Sequence, residues 1–156
     1  MKNLLIRPAQ LHDLDILLEF EQGIVEAERP YDSTLKPGEI HYYDIAELID
    51  RADAQVLVVV ADEEIVGSGY AKLVPSTGYR EHDVHAYLGF MYVKPTFRGQ
   101  GVNQLILDGL LDWAHSRNVF EIQLEVYPDN EAAMRAYTKA GFAPHLLRMR
   151  LDSRSL

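Results

Sequence analysis

Apolar and polar residues alternate at two different spacings along this chain. Helical spacing predicts four helices, at residues 13–22, 39–51, 102–117 and 130–140. The clearest is residues 102–117, where Asp108 and Asp112 mark the polar face opposite the apolar one. The last helix ends at Gly141, which is suited to the left-handed conformation that terminates helices.

Shorter apolar or alternating runs predict six strands, at residues 4–7, 55–61, 65–74, 85–93, 120–127 and 146–151. The polar residues 62–64 separate the second strand from the third and predict a hairpin. The order is strand, two helices, three strands, helix, strand, helix, strand. Because it mixes hairpins with strand–helix–strand units, it favours a mixed sheet with helices on its faces.

The length and composition narrow the possibilities further. At 156 residues without a repeat or linker, we expect one domain spanning residues 1–156. Cysteine is absent, which excludes disulfides, thiolate metal sites and a cysteine nucleophile. The six histidines do not fall at metal-ligand spacings, and we therefore expect no metal.

The charge of the chain bears on its partners. A net charge of −9 repels nucleic acid and anionic membranes, so we expect neither as a partner. Acidity suits a cationic substrate, and it equally suits a merely solvated surface. Residues 1–8 lack the apolar stretch of a secretory signal, and the longest apolar run, residues 56–61, is far below the ~20 residues that span a bilayer. We expect a cytoplasmic protein.

A glycine-containing turn joins the strand at residues 85–93 to the helix at residues 102–117. The first N–H groups of that helix have no intrahelical acceptor and lie at the positive end of its dipole, so they form an anion site. Gly99 and Gly101 remove side chains where a phosphate must approach the backbone, and Arg98 adds positive charge. An ordinary strand-to-helix turn with a solvated Arg98 also fits this pattern.

Two other phosphate loops do not fit. The Gly-Lys-Ser/Thr of a P-loop is missing. The third glycine of the dinucleotide-binding fingerprint is missing too, since Gln104 stands in its place.

The turn resembles the acetyl-CoA-binding motif of the GNAT superfamily of N-acetyltransferases. The matching residues are Val93-Lys94-Pro95 and Arg98-Gly99-Gln100-Gly101-Val102-Asn103. A second block of the family follows, with Leu124-Glu125-Val126, Asn130, Ala133, Tyr137, Lys139 and Gly141-Phe142. Asn103 departs from the family, which has glycine or alanine there; its side chain could crowd the pyrophosphate or donate a hydrogen bond to it.

The resemblance implies a particular α+β fold. Its centre is a twisted, mostly antiparallel sheet of six or seven strands with helices on both faces. Strands 85–93 and 120–127 are expected to run parallel and to splay apart, admitting acetyl-CoA.

The same resemblance implies the cosubstrate site. Backbone groups of Met91 and Val93 would pair with the pantetheine arm, backbone N–H groups of residues 99–104 would hold the pyrophosphate, and Asn130 would contact either region. The full set of expected acetyl-CoA-binding residues is Met91, Tyr92, Val93, Arg98, Gly99, Gln100, Gly101, Val102, Asn103, Gln104 and Asn130.

The resemblance also implies two catalytic residues. A lysine-like amine has a pKa of ~10.4 and must lose a proton before it attacks, and Glu125 could accept that proton directly or through water. Tyr137 would lie near the thioester sulfur. A phenol (~10) is a weaker acid than a thiol (~8.5), so we expect a hydrogen bond rather than full proton transfer. Glu125 could instead be a half-exposed strand residue, and Tyr137 a packed helix residue.

The acceptor site is expected between the first helices, with Glu28, Tyr31 and Tyr43 as candidates, because carboxylates and aromatic faces both suit a cationic amine. Solvated helix ends and core tyrosines would give the same pattern. The predicted reaction is direct acetyl transfer to a primary amine of a small molecule or peptide, without an acyl-enzyme or a metal. A homodimer is compatible with it. The alternatives are a non-catalytic acyl-CoA sensor and an interaction module for another phosphate ligand.

Overall fold

The computed structural model describes residues 3–156 and contains five strands and four α-helices within them. The elements are β1 (Leu4–Pro8), α1 (Leu14–Glu28), α2 (Ile45–Asp50), β2 (Ala54–Ala61), β3 (Glu64–Pro75), β4 (Val84–Val93), α3 (Val102–Ser116), β5 (Ile122–Gln123) and α4 (Glu131–Ala140). The chain forms two compact units, a first that ends at Glu125 and a second that begins at Val126. A single domain over residues 1–156 stays a prediction.

The sheet belongs to the first unit, and its strands follow the order β1-β2-β3-β4-β5. The first four strands pair antiparallel. The last pair is parallel, with Ala86 opposite Ile122 and Tyr87 opposite Gln123. The predicted mixed sheet and its parallel pair are therefore confirmed.

Helices cover both faces of this sheet. On one face, Leu17 and Phe20 of α1 and Ile45 of α2 share a buried cluster with Val58 of β2. On the other face, α3 lies so close to β3 that a Cβ added to Gly69 would come within 2.6 Å of Ile106. Alternation of side chains along the strands separates the two layers.

The helix predictions need two corrections. The first helix does not stop at residue 22 but continues through Gly23 to Glu28. The glycine reflects packing rather than a helix end, since a Cβ built at residue 23 would lie 2.7 Å from the Tyr92 ring. The second is confined to Ile45–Asp50, since Asp44 caps it by accepting from the Glu47 N–H at 3.2 Å. Residues 39–44 are not helical.

The sequence also predicts more and longer strands than the structure contains. Residues 3–156 form five strands rather than six or seven. The strand expected at residues 120–127 is reduced to Ile122–Gln123, and residues 146–151 form none. A strand exists only when its backbone groups are paired with a neighbour, and alternation in sequence does not supply that neighbour. Leu146, Leu147 and Met149 are accordingly exposed.

The second unit contains α4 and the segment that follows it. Asn130 caps this helix by accepting from the Ala133 N–H at 3.2 Å, and Gly141 ends it with φ +107°. The predicted helix and its terminator are confirmed.

Within residues 3–156, no helix combines the length and the apolar character needed to cross a bilayer.

Candidate active site

The backbone of β4 is distorted at Phe90. This buried residue has φ +58°, a left-handed conformation that is uncommon for any residue but glycine. The register with β3 shifts at this point, so β4 carries a bulge. Ser68, also buried, stabilises the bulge by donating its hydroxyl to the Phe90 carbonyl at 3.0 Å. A strained residue held by a buried hydrogen bond is a frequent mark of a functional site.

Beyond the bulge, no strand among residues 3–156 pairs with β4 on the side opposite β3, which leaves that edge of β4 open. Pairing with β5 ends at Tyr87, although β4 continues to Val93. The Lys94 N–H donates to the Val66 carbonyl on the β3 side at 2.8 Å. Because backbone groups alternate in direction along a strand, Val93 and Met91 point theirs away from β3, toward the open edge. Tyr92 instead packs its ring against Phe20 of α1, with centroids 4.6 Å apart.

The turn after β4 has the geometry of an anion-binding turn. Gly99 and Gly101 have φ +75° and +85°, and a Cβ at either would meet no atom within 4 Å. The first backbone bond of α3 runs from the Leu105 N–H to the Gly101 carbonyl, so the preceding N–H groups have no intrahelical acceptor. The first turn of α3 carries no acidic residue. This backbone can therefore accept a phosphate without a steric or charge conflict.

The polar side chains around this turn are exposed or partly exposed. Arg98 donates weakly to the Val93 carbonyl at 3.4 Å and keeps its charge near the turn. Gln100 and Gln104 are engaged with their own neighbours, Thr96 and Asp108.

A cleft of about 490 Å³ opens on the α1–α2 face of the sheet. Its lining is Tyr42, Tyr43, Asp44, Glu47, Leu48, Arg51, Tyr70, Lys72, Val74, His85, Tyr87 and Glu125. The residues from β3 and β4 share one face because they alternate along paired strands, with Lys72 opposite Tyr87 and Val74 opposite His85. Aromatic side chains and charges of both signs therefore surround the same space.

Glu125 lies at this cleft, just after β5. The Tyr87 hydroxyl donates to its Oε1 at 3.3 Å. Burial, reinforced by the Glu125 charge, raises the pKa of Tyr70 to about 12 and also raises the pKa of Tyr87 above its ordinary value. Both phenols are thus protonated at neutral pH, and the Glu125 side chain is exposed.

The wall of the cleft is fixed by a fully buried carboxylate on α1. Glu21 Oε2 accepts from the N–H groups of Tyr42 and Tyr43, both at 2.9 Å, and its Oε1 lies 2.7 Å from His41 Nδ1. The Glu21 carboxylate raises the pKa of His41 above its ordinary value. This interaction holds residues 41–43 over the sheet.

Of the three acceptor candidates, only Tyr43 lines the cleft. Burial raises its pKa well above the ordinary value, and its ring packs on Tyr70 and Phe90 with centroid distances of 5.5 Å. Glu28 is half-buried at the end of α1, where burial raises its pKa. Tyr31 lies in the 3-10 turn Arg29–Tyr31. The acceptor roles of Glu28, Tyr31 and Tyr43 all stay predictions.

In the second unit, Asn130 caps α4 and Tyr137 lies within this helix. The side-chain oxygen of Asn130 caps the helix, and its side-chain NH₂ group is left for any further contact. The Tyr137 ring packs edge-on against Phe142 at 5.8 Å. Their expected roles toward acetyl-CoA stay predictions.

Sequence reasoning missed the cleft residues of β3 and β4, namely Tyr70, Lys72, His85 and Tyr87. The alternation of Tyr70, Lys72 and Val74 in the predicted strand was the available signal. It could not be used, because only the register between the two strands shows which face they share. Among residues 3–156, no group of three or more His, Asp or Glu side chains is arranged to hold a metal ion.

Comparison with known proteins gives consistent results. The model of the family described as acetyltransferase (GNAT) family matches residues 20–142. A mycothiol acetyltransferase of Tsukamurella paurometabola is 34% identical over 86 residues, covering 54% of this chain and 27% of that protein. For three curated relatives, the match spans between 27% and 43% of the relative's length.

Solved structures share the fold. A variant of a Bacillus halodurans protein superposes with a TM-score of 0.86 at 22% identity, over 95% of this chain and 98% of that one. A predicted acetyltransferase with acetyl-CoA from Clostridium acetobutylicum gives a TM-score of 0.71 at 20% identity, over 99% of both chains. At these identities the likeness concerns the fold.

Proposed function

Because this chain belongs to the GNAT family of acetyltransferases, we propose that it transfers the acetyl group of acetyl-CoA directly to a primary amine. The observation that carries the proposal is the combination of an open β4 edge with a glycine turn at the start of α3. The open β4 edge suits an extended pantetheine arm, because the arm can pair with it like an added strand. The glycine turn before α3 suits a pyrophosphate. Acetyl-CoA supplies the activated acyl group when bound.

Three groups of the chain would then take part in the reaction. Glu125, exposed at the cleft, accepts the proton of the attacking amine, directly or through water. A backbone N–H beside the bulge that points to the open edge of β4 stabilises the charge that develops on the carbonyl oxygen. The Tyr137 hydroxyl donates a hydrogen bond to the departing thiolate, as the family resemblance predicts.

The aromatic lining of the cleft favours an amine as the acceptor. The Tyr43 ring lines the cleft, and cations bind favourably to aromatic faces. Glu125 adds the negative charge. A small-molecule amine or the amine of a peptide fits this chemistry equally well.

The direct test is release of CoA from acetyl-CoA in the presence of a panel of primary amines. The chain has no cysteine, so a thiol reagent reports CoA alone. We expect amine-dependent release, an N-acetylated product by mass spectrometry, and no acetyl group on the protein after incubation with acetyl-CoA alone. Binding of acetyl-CoA without amine-dependent release would instead support a non-catalytic sensor.

A further inference from the structure

The cleft contains two opposite charges that are not neutralised by the protein. Among the described residues, neither Lys72 nor Glu125 forms an ion pair. Tyr87 separates them: its ring lies under Lys72 Nζ, with 5.6 Å to the ring centroid, while its hydroxyl donates to Glu125. Lys72 is also placed 5.9 Å from the ring centroid of Tyr70. The cation is thus positioned by aromatic faces rather than by a carboxylate.

The other cations of the cleft are already partnered. Arg51 donates twice to Asp53, at 2.7 and 2.9 Å, and so its charge is compensated. His85 Nδ1 lies 2.9 Å from the Ser76 hydroxyl, and burial lowers the pKa of this imidazole, which is therefore neutral at pH 7. Lys72 is the cleft cation that keeps an uncompensated charge.

The remaining cleft carboxylates have their own roles. Asp44 caps α2 through the Glu47 N–H, and Glu47 lies 3.8 Å from Arg51. Both stand at the α2 side of the cleft and are exposed. Glu125 alone among the three has a hydrogen bond to the tyrosine on which Lys72 rests.

We propose that the acceptor carries an anionic group, a carboxylate or a phosphate, in addition to its amine, and that this group binds to Lys72 while the amine lies at Glu125. This inference rests on the proposed acetyl transfer, since it names the class of acceptor for the same cleft. An ammonium group alone would meet Lys72 as a like charge, whereas a zwitterionic acceptor complements both charges.

The register sets the scale of the acceptor. Lys72 on β3 is opposite Tyr87 on β4, and Tyr87 precedes the bulge residue Phe90 by three positions. At ~3.3 Å per residue, the anion site and the bulge are about 10 Å apart along the strand. That distance suits a molecule the size of an amino acid, a short peptide terminus or an aminoalkyl phosphate.

The test uses acceptors that differ only in the anion. We would compare amino acids with their carboxamides, and aminoalkyl phosphates with the corresponding amino alcohols, using the full chain. Acetyl transfer gives kcat and KM, and calorimetry in the presence of saturating CoA gives affinity without turnover. The variants are Lys72→Met, Lys72→Arg, which restores the cation, and Lys36→Met, an exposed control; circular dichroism checks that each is folded.

We expect the anionic member of at least one pair to bind at least about 10-fold more tightly, the size expected for a charge-assisted hydrogen bond. Lys72→Met should remove this preference through KM, and Lys72→Arg should retain most of it. The carboxylate and phosphate pairs show which anion is preferred.

Equal affinity for both members of every pair, or an equal loss for both in Lys72→Met, would overturn the inference and leave the acetyltransferase proposal standing. Lys72-dependent binding of the anionic members without any acetyl transfer would support the anion site and refute the proposed function.

Discussion

The substitution Glu21→Gln tests how the wall of the cleft is held. Glu21 is fully buried and accepts two backbone hydrogen bonds, from Tyr42 and Tyr43, besides its contact with His41. Glutamine has nearly the same shape, but it is neutral and has only one acceptor oxygen. It can keep the two backbone bonds as neutral ones, or turn its NH₂ group toward donors that it cannot satisfy.

The expected loss follows from the strength of these bonds. A hydrogen bond to a charged group contributes ~1.5–3 kcal/mol, against ~0.5–1.5 kcal/mol for a neutral one. Burying a neutral amide costs less than burying a carboxylate, which offsets part of the loss. We therefore expect the free energy of unfolding to fall by about 2 kcal/mol. For a chain of this size, the melting temperature should then fall by about 4–8 °C.

The loss should depend on pH in a defined direction. The folded-state pKa of His41 is raised by Glu21. The stability that comes from this pair is therefore fully present below the unfolded pKa of histidine, ~6.5, and is lost as pH rises through the raised folded value. The difference in free energy of unfolding between wild type and Glu21→Gln should therefore be larger at pH 5.5 than at pH 8.5, because His41 is charged at the lower pH.

The assay is urea unfolding at several pH values, together with calorimetry for acetyl-CoA and KM for the acceptor. Acetyl-CoA affinity should be unchanged, because its proposed site is on β4 and α3, while the acceptor KM should rise. Glu19→Gln, on the exposed face of α1, is the matched control. A destabilisation below about 0.5 kcal/mol, as for an ordinary surface substitution, would refute this account of the cleft wall.

Three further substitutions probe the remaining parts of the site. Ser68→Ala removes the buried hydroxyl that holds Phe90 and should reduce stability by about 1 kcal/mol and lower kcat. Ser116→Ala is the control, because the Ser116 hydroxyl also donates to a backbone carbonyl but is exposed; unchanged kcat in Ser68→Ala would separate the bulge from catalysis. Glu125→Gln should lower turnover by ~10²–10⁴-fold at neutral pH, with a defect that shrinks as pH approaches the amine pKa; an unchanged pH–rate profile would leave water as the proton acceptor. Tyr137→Phe should bind acetyl-CoA normally but turn over more slowly; wild-type turnover would return the residue to a packing role.

Parts of this fold could be predicted because their signals are local. The helix after Gly101 and the helix before Gly141 begin and end where the sequence indicates, since capping and left-handed glycines act over a few residues. The parallel pairing of β4 with β5 followed from the order of elements and the family resemblance.

Other parts depend on contacts distant in sequence. The spacing of residues 39–51 predicts a helix, but residues 41–43 are instead held in a non-helical conformation by Glu21, about twenty positions earlier. The local spacing does not reveal this distant contact. The bulge at Phe90 depends on Ser68 of the neighbouring strand. The cleft position of Lys72 likewise depends on the β3–β4 register, which the spacing of its own strand does not reveal.

Thermal unfolding with competing ligands tests whether the β4 edge and the start of α3 bind acetyl-CoA. Acetyl-CoA at a hundred times its dissociation constant should stabilise the fold by about 2.7 kcal/mol. The melting temperature should then rise by about 5–10 °C, while ATP and NAD at the same concentration should have a much smaller effect. No shift at millimolar acetyl-CoA, or an equal shift with all three ligands, would contradict the account.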